Sequence, residues 1–69
     1  MFNKREFMAQ MARADMTQKE LAQKLGIDES TLYRKINDDG RFSRKEMNSI
    51  IEILDIKDPS PIFFASELA

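Results

Sequence analysis

The side chains best suited to specific hydrogen bonding gather in one stretch, Glu29-Ser30-Thr31-Leu32-Tyr33-Arg34. On a helix, Glu29, Ser30, Tyr33 and Arg34 fall on the outer side, because residues three and four apart are neighbours. A guanidinium such as Arg34 can give two parallel hydrogen bonds to guanine O6 and N7, a contact that discriminates by ~1–3 kcal/mol. The same group can instead meet a phosphate or stay solvated. Tyr33 offers a ring for a thymine methyl and a hydroxyl for a phosphate, or it packs as peripheral core. Glu29 can accept from cytosine N4, or it can stabilise the positive end of a helix.

Covalent chemistry is poorly supplied. Among the 69 residues there is no histidine and no cysteine, so the commonest general base, the commonest metal ligand and any thiolate are missing. Serine, tyrosine and lysine occur without a base–nucleophile arrangement. We therefore expect no enzyme, no catalytic residue, no metal and no cofactor. The lack of cysteine removes a disulfide framework and makes the cytoplasm the default location. No apolar run is long enough to cross a bilayer, and Met1-Phe2-Asn3-Lys4 does not open a signal peptide. A hydrophobic share of 42% with 33% charged residues describes a soluble globular chain. Its length allows one domain over residues 1–69, near the lower size for a sufficient core.

The donors need a scaffold, and Met16 to Asn37 supplies it. Thr17 and Glu20 have the spacing of a capping box, and Met16 and Leu21 flank it as a hydrophobic staple. A helix from Gln18 to Leu25 follows, and Gly26 provides the left-handed residue that ends it. Ile27 and Leu32 form a second staple around Asp28, the expected N-cap of a helix from Glu29 to Asn37. Leu32 and Ile36 face inward in that helix. Helix, glycine turn, helix is the helix-turn-helix pattern.

The flanks are helical too. Residues 3–14 carry Phe7, Met11 and Ala14 at the spacing of an amphipathic helix, with Met8 beside them. Met8, Met11 and Met16 read as core fillers. Asn37 to Arg41 is a loop dense in turn formers, with Gly40 free to take positive φ. Phe42 and Met47 bracket Ser43, and Ser43-x-x-Glu46 is another capping box. The helix behind it runs to about Leu54, with Met47, Ile50, Ile51 and Leu54 on one face. Asp58 before Pro59 predicts a short fifth helix over Pro59 to Phe64. The tail from Ser66 to Ala69 is expected to fray. No stretch reads as a strand.

The run TQKELAQKLGIDESTLYR resembles the helix-turn-helix core of the Cro/repressor class of bacterial and phage regulators. Thr17, Gln18, Leu21, Ala22, Leu25, Gly26, Ile27, Thr31, Leu32 and Arg34 fall on that pattern. The ending from Phe42 to Phe64 is similar to small phage-encoded members. The resemblance implies an all-α, compact five-helix, lambda-repressor-like domain. It also implies that Glu29, Ser30, Tyr33 and Arg34 meet bases in the major groove. Gln18, Asn37, Arg41 and Arg44 would then hold phosphates. Many relatives place an apolar residue where this chain has Lys35, which leaves the rotation of the second helix of the motif open.

Charge is unevenly spread. The net charge of −1 departs from the basic balance common in nucleic-acid binders. Yet residues 30–45 hold Arg34, Lys35, Arg41, Arg44 and Lys45 against Asp38 and Asp39, a balance of +3. Residues 46–69 hold Lys57 against five acids, a balance of −4. Ile62, Phe63, Phe64 and Leu68 form an apolar cluster at the acidic end, part closing the core and part a homodimer contact. The expected function is a Cro-like repressor that binds a palindromic DNA operator as a dimer, without a small-molecule ligand and without a membrane. The rival is an antirepressor of the same fold that binds a partner repressor's DNA-binding domain.

Overall fold

Most of the helices begin where a side chain accepts from a free amide of the first turn. In the computed structural model, which describes residues 2–63, the helices are α1 (Lys4–Arg13), α2 (Gln18–Leu25), α3 (Glu29–Asn37), α4 (Arg44–Ile53) and α5 (Ser60–Phe63). Thr17 accepts from the amide of Glu20 while the Glu20 carboxylate accepts from the amide of Thr17, closing the expected box. Ser43 and Glu46 do the same for α4. Asn3 is the cap of α1, its Oδ1 accepting from the amide of Glu6 at 3.0 Å. The first helix therefore starts one residue later than expected. Asp28 takes the cap position of α3 with extended backbone, but its side chain makes no capping hydrogen bond.

The helix ends are less uniform than the sequence suggests. Gly26 closes α2 at φ 75°, as expected. Three further turns use aspartate in the left-handed region: Asp15 after α1, Asp39 after α3 and Asp55 after α4. Aspartate tolerates this conformation better than most side chains, though not as readily as glycine. The short fifth helix starts at Ser60, where Asp58 Oδ1 accepts from the Ser60 amide at 3.2 Å. Its expected end at Phe64, and the expected fraying of 66–69, lie outside the described residues.

Packing follows the apolar stripes. Helix α2 rests against both α3 and α4, and α1 pairs with α5. Leu21 and Ala22 are buried at the centre of the motif, with Leu32 and Ile36 facing them from α3. The small Ala22 allows the two helices to approach closely. Phe7 and Met11 bury the α1 stripe, while Met8 and Met16 pack at the core edge. On α4, Ile50 and Leu54 are buried, and Met47, Ile51 and Ile53 pack against the core from its edge. No strand occurs among the described residues.

An aromatic cluster closes the open end. Phe7 and Phe42 stack with ring centroids 6.0 Å apart, and Phe42 meets Phe63 edge-on at 6.4 Å. Phe2 covers them, contacting Phe7, Phe42 and Phe63. The Asn3 amide donates to the Ile62 carbonyl at 2.7 Å, joining the two ends of the described chain. Ile62 and Phe63, expected to share in a dimer contact, are 1% and 8% exposed and complete this core. Phe64 and Leu68 lie outside the described residues.

Candidate nucleic-acid interface

Burying Leu32 and Ile36 turns Glu29, Ser30, Tyr33 and Arg34 to the surface. Tyr33 is 57% exposed, so its ring is not peripheral core. The cap of α2 sets Gln18 at that helix's first position, across the Gly26–Asp28 turn from the start of α3. Gln18, Glu29, Ser30 and Tyr33 consequently line one open depression. Arg34 looks toward the other flank. It shares a second depression with Thr31, Lys35, Asp38 and Arg41. Arg44 lines neither, and instead borders an apolar groove with Met47, Ile51, Pro59 and Phe63.

The charges around α3 differ in their freedom. Arg41 is 3.3 Å from the Asp38 carboxylate in an exposed ion pair. Lys35 is 3.2 Å from Glu46 and more enclosed. Among the described residues no ion pair engages Arg34 or Arg44. Asn37 is held at both ends of its amide: Nδ2 donates to the Tyr33 carbonyl at 2.8 Å and Oδ1 accepts from Lys4 Nζ at 2.6 Å.

Two glutamates near the motif are held below the usual carboxylate range. Glu20 is lowered first by the Thr17 amide, then by the Thr17 hydroxyl and Lys24. Glu46 is lowered first by the Ser43 amide and further by Lys35, against an opposing effect of burial. Both stay ionised because their oxygens accept at helix starts. No group of acidic, histidine or cysteine side chains among the described residues could hold a metal ion. What the face offers is hydrogen-bond donors and acceptors on an exposed helix.

A family model for the Cro/C1-type helix-turn-helix DNA-binding domain matches residues 8–63. The chain belongs to that family. Comparison with curated proteins and with solved structures gave no match. The matched segment of this Cro/C1-type domain covers α2 and α3 entirely, together with both depressions. It leaves out Phe2, Asn3 and Lys4, of which the sequence places Asn3 and Lys4 in the first helix without a role in the interface. Asn3-x-x-Glu6 has the spacing of a cap and was readable as one. The approach of Lys4 to Asn37 spans 33 residues and left no local sign. Among the described residues no helix is long and apolar enough to cross a membrane.

Proposed function

We propose that this chain is a sequence-specific transcriptional regulator, a Cro-like repressor of phage or prophage type acting on the host nucleoid. It folds as one domain and binds a palindromic operator as a homodimer. Helix α3 enters the major groove, where Arg34 reads guanine while Glu29, Ser30 and Tyr33 meet neighbouring base edges. Gln18, Asn37, Arg41 and Arg44 hold the sugar-phosphate backbone and fix the register. Dimerisation sets two copies of α3 about one DNA turn apart, ~34 Å. Repression follows from occlusion of polymerase or of a competing regulator.

The observation that carries this reading is the division of α3. Its apolar side chains Leu32 and Ile36 are buried, while Glu29, Ser30 and Tyr33 lie exposed beside Gln18 and Arg34 lies exposed on the other flank, within a family whose domain binds DNA. The test is a gel-shift titration of palindromic sites from the promoter region of its own gene. Arg34→Ala should lose preference for the operator, whereas Gln18→Ala and Arg44→Ala should weaken binding to every sequence about equally. A stable complex with a neighbouring repressor, with no retarded DNA at any salt, would replace this reading by the antirepressor.

A further inference from the structure

We propose that Lys4 is a phosphate-binding residue of the DNA interface, held in place by Asn37, so that the footprint includes the start of α1. The proposal rests on the DNA-binding reading above and extends it to a residue outside the helix-turn-helix. Its basis is the 2.6 Å hydrogen bond from Lys4 Nζ to Asn37 Oδ1, which joins the first residue of α1 to the last residue of α3.

The position of this ammonium is fixed by a chain of contacts. Asn3 caps α1 and donates its backbone amide to Ile62, which anchors the backbone beside Lys4. At the other end, Asn37 is oriented by its own bond to the Tyr33 carbonyl. Glu29, Tyr33 and Asn37 are spaced four apart and are all exposed, so they form one line along α3. Lys4 stands at the far end of that line. Tyr33 begins at the depression shared with Gln18, so the cation extends the same face.

The charge is available. Among the described residues no carboxylate pairs with Lys4, whereas Lys35 and Arg41 each have one. An ammonium has three donors, and Asn37 uses one. The neutral amide oxygen orients Lys4 without cancelling its charge. Helix stability does not explain the residue, since a cation in the first turn opposes the helix dipole. Holding a long exposed side chain in one conformation costs entropy. A phosphate at the end of α3 would recover that cost, because the cation is already in position.

The test compares unmodified protein with Lys4→Gln and Lys4→Arg, using an operator fragment and an unrelated fragment over a range of salt. Lys4→Gln should unfold at an unchanged temperature. It should bind both fragments more weakly by the same factor, roughly fivefold, with the log–log salt slope shallower by about 0.9. Lys4→Arg should restore slope and affinity. Asn37→Ala should weaken binding while leaving most of the slope, because it frees the cation without removing it. An unchanged slope in Lys4→Gln, with normal complexes from the unmodified protein, overturns the role of Lys4 alone. A loss confined to the operator overturns it too, since that would be base contact. If the unmodified protein retards no DNA, both readings fall together.

Discussion

One carboxylate oxygen serves both α3 and α4: Oε1 of Glu46 accepts from Lys35 Nζ at 3.2 Å and from the Ser43 amide at 2.8 Å. The cap of α4 is thereby also the anchor of α3. Lys35 is partly enclosed in this contact, with 29% of its side chain exposed. It ties α3 to the start of α4 on the side away from Tyr33, while burial of Leu32 and Ile36 turns Tyr33 and Arg34 outward.

Glu46→Gln separates the two roles, because glutamine still accepts from the Ser43 amide. The variant should stay folded and lose about 0.5–1 kcal/mol in urea denaturation. Lys35→Met should lose a similar amount, and the double variant should lose less than the two together. Full additivity would show that the pair carries no coupling.

Acid sensitivity follows from the same groups. Glu20 and Glu46 are both lowered in the folded chain, so they bind protons more readily when unfolded. Their contribution is complete above the ordinary glutamate value, about 4.3. It is lost as pH falls from there through the lowered folded values. Thermal unfolding from pH 7 to pH 3 should show an acid decline that is shallower in Glu46→Gln.

Thr17 tests the start of the motif. Thr17→Ala removes the acceptor for the Glu20 amide and should cost about 1 kcal/mol without altering the fold. Thr17→Ser should be nearly neutral. An unchanged denaturation midpoint in Thr17→Ala would mean that this cap adds nothing.

The two glycines should respond unequally to alanine. Both have positive φ, but a Cβ on Gly26 would meet open space, while one on Gly40 would overlap the Phe2 ring. Gly26→Ala should cost about 1 kcal/mol for backbone strain. Gly40→Ala should cost clearly more, and Phe2→Ala in the same chain should relieve part of the excess. Asp15, at φ 54°, should show the reverse effect, with Asp15→Gly raising the melting temperature.

What could be read from the sequence was local. Thr17 with Glu20, Ser43 with Glu46 and the glycine after Leu25 act over three or four residues, so spacing alone marks them. The stripes of α1 and α4 were legible for the same reason. Lys35 with Glu46 required knowing how α3 sits on α4. Arg13 donating to the carbonyls of Leu54 and Asp55 spans 41 and 42 residues and follows from no pattern. The aspartates that end three helices were opaque because aspartate is as common in loops of other shapes. Ile62 and Phe63 were plainly apolar, yet only the position of Phe2 and Phe42 decides that they face inward.

The bond from Asn3 to Ile62 has a consequence for synthesis. A ribosome must release the sixty-second residue before the third can meet its partner, whereas α2 and α3 contact each other over a short span of chain. Local contacts form early and distant ones late. Yet two helices of 8 and 9 residues are marginal by themselves, so the helix that faces outward keeps its shape only once α4 and the aromatic cap close the core. Nascent chains stalled with only Asn37 clear of the exit tunnel should remain open to proteolysis across α2 and α3, with protection arriving in chains long enough to free Ile62.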